Sequence, residues 1–306
     1  MDKKIYRGVL CEEVPQEYAA NTLYLQTFAV DTVGTTDGSV WVRVYGDRRN
    51  GEVALFKPED PEEIDGAQAE LISSHFEKMM LEGVHVRVPE INIVKAPCIT
   101  GIGNGILSYR LNDSVREDFI HIGSLLRYKF TGAQISKLYT LGIQDILDCI
   151  RMEVNDATNF KEIEEAVVKV ILTDAFSNNA DRHGKNWALV RDKDTNHSEL
   201  AIFDNVKSFI NMMTDRVGYK HDDLWSIGYL GVDSKELPEI GERIVKGIEK
   251  MYPEYFNQFM TRFNNIRDIF CEDIVGINGV NASRIESVFR KKAHEFDREK
   301  DYQMDW

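Results

Sequence analysis

Asp181 and Asn186 lie five residues apart in a polar, Asn-rich loop, and Asp204 follows after two short apolar runs. A carboxylate, an amide five residues on, a short hairpin and a second carboxylate supply one group to orient a nucleophile and two hard oxygen ligands for magnesium. Those are the parts that phosphoryl transfer needs. Taken singly, each residue is at home in an Asx turn, because short polar side chains hydrogen-bond their own loops. The three in this order, bracketed by a hydrophobic helix and by the apolar run from Leu200 to Phe203, point instead to a site.

The segment Asn179-x-Asp181-Arg182-His183-x-x-Asn186-Trp187, followed by Ile202-Phe203-Asp204-Asn205 and Ser208, resembles the catalytic loop and metal-binding segment of the HipA-like serine/threonine kinases. The same Asp-Arg-His-x-x-Asn order is similar to that of the phosphoinositide 3/4-kinases, which share the protein-kinase-like architecture. The resemblance implies that Asp181 is the catalytic carboxylate and that Asn186 and Asp204 hold Mg2+. It further implies that Arg182 and His183 help hold the loop, with a place near the transferred phosphate as the other reading of His183. Val206 departs from the pattern, since the family usually carries Gly after Asp204-Asn205 and Val adopts a positive φ only at a cost. The backbone after the metal ligand is therefore expected to differ.

Upstream, Thr22 to Val33, Ser39 to Tyr45 and Glu52 to Phe56 read as strands, the second from Val40, Val42 and Val44 alternating with Trp41, Arg43 and Tyr45. The residues Gly34-Thr35-Thr36-Asp37-Gly38-Ser39 are either a plain hairpin turn or, with Lys57 at the end of the next strand, a loop and lysine that cover and grip nucleotide phosphates. Asp65 can cap a helix over about Ala67 to Leu81, with Ala69, Ile72, Phe76 and Met79 or Met80 as its apolar stripe. Glu70 on that helix is the best-placed partner for Lys57, ahead of Glu63 and Glu77; the alternative is a solvated helix glutamate. His85 to Val94 alternates as a strand that Pro89 bends or places at an edge. Gly101-Ile102-Gly103-Asn104-Gly105 is not a dinucleotide fingerprint, because a strand rather than a helix follows, and Asn104-Gly105 reads as a hairpin turn. Backbone around Leu107 to Tyr109 is then placed to hydrogen-bond adenine.

From about Asp113 the pattern becomes helical, near Ile135 to Cys149, Lys161 to Ser177, Gly241 to Met251, Pro253 to Phe270 and Ala282 to Arg298. Asn159 and Glu162 have the spacing of a capping box. The expected architecture is α+β and bilobal, protein-kinase-like: a nucleotide-binding lobe over 1–111, antiparallel and β-rich with one helix, and a mainly helical catalytic lobe over 112–306.

Bulk properties narrow the partners. Fifty-one acidic against 37 basic residues give a net charge of −14, which disfavours nucleic-acid binding. No apolar run is long enough to span a bilayer, no basic amphipathic helix suggests a membrane surface, and the amino terminus has no secretory h-region. Cys11, Cys98, Cys149 and Cys271 are scattered, as suits buried reduced thiols in a cytoplasmic protein. The expected cofactors are ATP and Mg2+, and the expected activity is kinase transfer to Ser or Thr of a protein substrate. The resemblance also makes one of Thr35, Thr36 and Ser39 a candidate site of autophosphorylation. The alternatives are a lipid or small-molecule kinase using the same site, and a nucleotide-binding regulatory module without turnover. The chain starts almost directly with the nucleotide lobe and lacks the extra amino-terminal segment of toxin kinases that pair with a DNA-binding antitoxin, so an antitoxin partner is not expected.

Overall fold

The alternation at Val40, Val42 and Val44 belongs to one strand of a six-stranded sheet, and the residues around it show how the first half of the chain is assembled. The structure, a computed structural model, describes residues 4–6, 9–11, 22–24, 29–34, 40–45, 52–58, 66–95, 104–109, 111–113, 115–131, 142–179, 182–205, 208–209, 212, 237–277 and 280–303. Two compact units emerge, Met1–Leu71 with Pro89–Leu111, and Ile72–Val88 with Asn112–Trp306.

In the first unit, β1 (Lys4–Tyr6) and β2 (Val9–Cys11) form a small antiparallel pair. The main sheet contains β3 (Thr22–Tyr24), β4 (Ala29–Gly34), β5 (Val40–Tyr45) and β6 (Glu52–Pro58). Helix α1 (Gly66–Met80) follows, then, beyond the short strand β7 (Val86–Arg87), come β8 (Ile91–Lys95) and β9 (Asn104–Tyr109). The strand order is β3-β8-β9-β6-β5-β4, antiparallel except for β3 against β8. The stretch from Thr22 to Val33 is therefore not one strand: its two ends lie at opposite edges of the sheet. Ala67 on α1 packs with Ile91 and Ile106, and Leu71 closes over them.

The expected strand from His85 to Val94 also divides. Val86–Arg87 pairs with one sheet and Ile91–Lys95 with another, because Pro89 lacks the N–H that a continuous ladder needs. Asn104 and Gly105 are not a turn. They pair with Lys95 and Val94 as the first residues of β9.

The second unit holds β10 (Glu117–His121), α2 (Ile122–Leu126), α3 (Ile143–Arg151), α4 (Ala157–Ser177), β11 (Trp187–Asp192) and β12 (Ser198–Ile202). Three helices complete it: α5 (Leu237–Met251), α6 (Pro253–Asp273) and α7 (Ala282–Gln303). A four-stranded sheet, ordered β10-β11-β12-β7, lies within this unit, with β7 parallel to β12. Composition did not announce β10, whose five residues alternate too briefly to stand out from a helical reading.

Helix α4 is the spine of this unit. Every residue from Ala166 to Ser177 is buried. Its N-cap is Asp156, whose carboxylate accepts the Asn159 N–H at 2.7 Å, so the capping box expected at Asn159 is displaced by three residues. Asn159 instead locks α4 to β12: its amide accepts from Ser198 N at 2.9 Å and donates to Ser198 O at 2.8 Å. Phe76, Phe209, Phe263, Phe270 and Phe289 are all fully buried and meet with ring centroids 5.1–6.5 Å apart. Each such ring contributes roughly 2 kcal/mol by leaving water. The apolar stripe read on α1 is real, with Ala69, Ile72, Phe76 and Met80 buried.

At the C-terminus of α4, where helix carbonyls run out of intrahelical partners, Lys292 Nζ of α7 donates to the carbonyls of Ala175 and Phe176 at 2.7 and 2.9 Å. Its third contact is Asn178 Oδ1 at 2.7 Å. Burial pushes the Lys292 amine far down from its usual range. Three acceptors, however, call for three N–H groups, which only the ammonium has, and the negative end of the helix dipole favours that charge. Lys292→Met, which keeps the stem and removes the donors, is expected to lower stability by about 2–4 kcal/mol. Chemical denaturation of the two proteins measures the difference.

Candidate active site

Helix α4 ends on Asn178, which takes the left-handed conformation (φ 54°) and turns the chain into the polar loop. Asn tolerates that conformation better than a branched residue, and here it doubles as a ligand of Lys292. Asn179 donates to Asp174 Oδ1 at 2.9 Å and its backbone N–H to Asp174 O at 2.8 Å. Thus the first residues after the helix fold back on its last turn.

Arg182 sits next, with no exposed surface. Its Nε and Nη2 grip Asp174 as a fork, both at 2.9 Å. Nη2 also reaches Glu77 Oε1 at 3.0 Å and Asn205 Oδ1 at 2.6 Å, while Nη1 donates to the carbonyls of Asn186 at 2.9 Å and Phe203 at 3.2 Å. Asn205 completes the ring by donating to Glu77 Oε2 at 2.8 Å. One buried cation and two buried carboxylates, Asp174 and Glu77, are therefore matched by hydrogen bonds on every side. The guanidinium ties together α1, α4, the loop and the chain beyond β12.

Asn186 and Asp204 are brought together by this frame. Asn186, 3% exposed, donates its amide N–H to the Asp204 carbonyl at 3.4 Å, and its backbone carbonyl accepts from Phe203 N at 3.1 Å. Asp204 is half-buried and has φ 58°. The positive φ thus falls on the carboxylate residue itself. Val206, where strain was expected, lies outside the described residues. Beyond Asp204, Phe209 donates its N–H to Ser177 O at 2.7 Å and buries its ring among those of α1, α6 and α7.

Two contacts on the other side of the loop escaped sequence reading. Gly123, at the start of α2, donates its N–H to Gly184 O at 2.7 Å, and a Cβ there would sit 2.9 Å from that oxygen. Only glycine allows this approach. His121 packs its ring edge-on to Phe119 and Phe203, and burial, the largest influence, holds its pKa below the usual imidazole range. The hydrogen bond to the Lys185 backbone opposes that shift, and the charges of Lys185 and His183 add to it. His183 is half-buried, and its Nδ1 accepts from Lys185 N at 3.2 Å.

Gly34, Lys57, Glu70, Leu107 and Tyr109 belong to the first unit. Lys57 is on β6 opposite Ile106 of β9, and Phe56 is opposite Leu107. Gly34 pairs with Val40 across the β4–β5 hairpin. Since Val42 pairs with Phe56, that hairpin's closing end and Lys57 lie at the same end of the sheet. Tyr109 ends β9 opposite Ala54. Glu70 is 1% exposed and is not a solvated helix residue. Glu77, the weaker alternative partner for Lys57, is engaged by Arg182 and Asn205. Asp181, Thr35, Thr36, Gly38, Ser39, Glu63 and the cap Asp65 lie outside the described residues. Cys149 and Cys271 are free, buried thiols, and burial raises both pKa values, that of Cys271 to about 12. No helix among the described residues is long and apolar enough to cross a membrane.

No family model and no curated protein matches the sequence. Solved structures do match the fold. The Helicobacter pylori proinflammatory kinase CtkA superposes with a TM-score of 0.56 at 12% identity, covering 90% of this chain and 95% of that one. The chain has the fold of this kinase. A chain of the Shewanella oneidensis MR-1 toxin–antitoxin complex of HipA, HipB and operator DNA aligns at a TM-score of 0.49 and 13% identity, over 89% of this chain and 63% of that one. The assignment rests on the first comparison. In this kinase-like fold, mixed in helix and sheet, the Arg182 cluster occupies the second unit.

Two outcomes test the site's physics. Arg182→Leu strands Asp174 and Glu77 as buried charges and is expected to cost about 3–5 kcal/mol, read from urea denaturation midpoints. His121, held neutral when folded, takes up its proton more readily when unfolded. Stability is therefore expected to be full above the unfolded value of 6.5 and to fall as the pH drops through it. His121→Phe should flatten that slope in thermal melts across the same range.

Proposed function

We propose that the chain is an ATP- and Mg2+-dependent kinase of HipA-like type that phosphorylates Ser or Thr of a protein. The observation that carries this reading is the buried Arg182 cluster, which fixes the loop bearing Asn186 and the turn bearing Asp204 to one rigid frame. A loop of metal ligands needs such a frame, because positioned charge accelerates phosphoryl transfer only when it does not have to reorganise. The shared fold with CtkA supports the same reading.

The proposed layout is bilobal. Residues 1–111 supply the nucleotide-binding lobe and 112–306 the catalytic lobe. Lys57, paired with Glu70, holds phosphate; Gly34, Thr35, Thr36, Gly38 and Ser39 cover it; backbone at Leu107 and Tyr109 meets adenine. The donor set at Asn186 and Asp204 fits magnesium, being an amide and a carboxylate joined by the Asn186 N–H to Asp204 carbonyl bond. When bound there, the ion neutralises charge on the phosphate oxygens. Asp181 orients the substrate hydroxyl and takes its proton as the oxygen bonds to the γ-phosphorus and ADP leaves. Arg182 and Asn205 do not touch substrate in this scheme; they hold the residues that do.

Incubation with γ-labelled ATP and Mg2+, with and without candidate acceptors, tests the proposal. Wild type should incorporate or transfer label, while Asp181→Ala and Asp204→Ala lower the rate at least about 100-fold, the scale set by losing one positioned charge. Label on a lipid alone would reassign the acceptor. Tight ATP binding without turnover of any acceptor would make the chain a regulatory module. Peptide mapping after ATP incubation decides whether Thr35, Thr36 or Ser39 is modified.

A further inference from the structure

At the start of β7, in the turn between β11 and β12, and on the second turn of α4, three side chains converge that the kinase reading does not use. His85 Nε2 lies 3.7 Å from Glu162 Oε1, and His197 Nε2 lies 3.9 Å from Glu162 Oε2. One ligand atom from each residue falls within 4.8 Å of the other two. The two imidazole rings stand 5.9 Å apart at 68°. We infer that His85, Glu162 and His197 form a binding site for a divalent transition-metal ion of zinc's chemistry, separate from the magnesium ligands.

The spacings favour an ion over direct bonding. Both nitrogen–oxygen separations are too long for hydrogen bonds, yet they approach the roughly 3.4 Å that separates ligands arranged tetrahedrally around zinc with bonds near 2.1 Å. The two nitrogen–oxygen pairs need to close by only about 0.3 and 0.5 Å to reach it. Two imidazoles and one carboxylate are a ligand set that zinc accepts, whereas magnesium prefers all-oxygen coordination. The side chains are 45%, 31% and 42% exposed, so an ion can enter and a water can take the fourth position.

A carboxylate also stands behind one ligand. The far nitrogen of His85, Nδ1, lies 4.0 Å from Glu199 Oε1, beyond hydrogen-bond distance, on the side from which a carboxylate orients metal-bound imidazole once the two close up. Arg87 pairs through Nε with Glu199, while a fork from its Nη1 and Nη2 holds Glu117 at 2.9 and 2.8 Å. Asn159 donates to Glu162 Oε2 at 3.3 Å and at the same time locks α4 to Ser198, the residue after His197. His85 O accepts from Leu200 N at 3.1 Å, which ties the third ligand to the same strand. The three ligands thus stand on elements already fixed to one another, and an ion bound there would clip the sheet to the N-terminal end of α4.

The test uses the full chain, stripped with chelator, dialysed and titrated with zinc chloride by calorimetry without nucleotide and with magnesium in excess. One zinc equivalent is expected. His85→Ala and His197→Ala should each weaken it at least about 10-fold, and Glu199→Gln about 10-fold through the outer shell. Asp204→Ala should leave zinc binding unchanged, because its oxygen site is elsewhere. Cobalt in place of zinc should give the visible bands of a four-coordinate ion, lost in His197→Ala. The proposal is overturned if no stoichiometric zinc binds. It is equally overturned if both histidine variants, folded by circular dichroism, bind zinc as wild type does, or if Asp204→Ala alone abolishes binding.

Discussion

A guanidinium with no exposed surface cannot remain in a protein interior unless each of its donors is answered, and the second unit of this chain is arranged around that demand. Arg182 has five N–H groups. Asp174, Glu77, Asn205 and the carbonyls of Asn186 and Phe203 receive them. Removing the charge from water is costly, and only a matched set of carboxylates and carbonyls offsets it. The price is geometric: four segments, α1, α4, the loop and the chain after β12, must meet at one point.

The same loop is restrained from outside by forces of a different kind. Lys292 holds the last carbonyls of α4, Asn178 turns the backbone, and the Phe209 ring anchors the chain after Asp204 in a cluster of phenylalanines. Polar contacts fix direction, because hydrogen bonds lose strength quickly with angle, whereas aromatic burial fixes depth. Asp204 in a left-handed conformation is maintained because its neighbours on both sides are tied: Phe203 through Asn186 and Arg182, Phe209 through Ser177. The zinc ligands proposed near β7 use the opposite end of the same helix α4.

Much of the local structure was legible. Helix α1 keeps the stripe of Ala69, Ile72, Phe76 and Met80, and α6 begins at Pro253 because proline suits a first helical turn. Pairing was less legible. Thr22 to Val33 reads as a continuous strand, and β-propensity says nothing about which edge each end will join. Pro89 announces an interruption, but not that the chain changes sheets there. Asp156 and Asn159 both have cap chemistry; the choice between them was made by Ser198, thirty-nine residues on.

The candidate site divides in the same way. The order Asp181, Asn186, Asp204 is present in the chain as written, because the proposed metal ligands, on one loop and after the next hairpin, are close in sequence. Glu77 is 105 residues from Arg182 and resembles any other helix glutamate; Gly123 resembles any other glycine. By itself the sequence determined the residue types that carry chemistry and the periodicities that form helices and strands, since both depend on near neighbours. The tertiary structure decided which carboxylate is committed to the buried arginine, where a glycine must admit a backbone carbonyl, and which histidines converge on one glutamate. Those outcomes depend on desolvation and close approach between segments far apart in the chain, which no local pattern records.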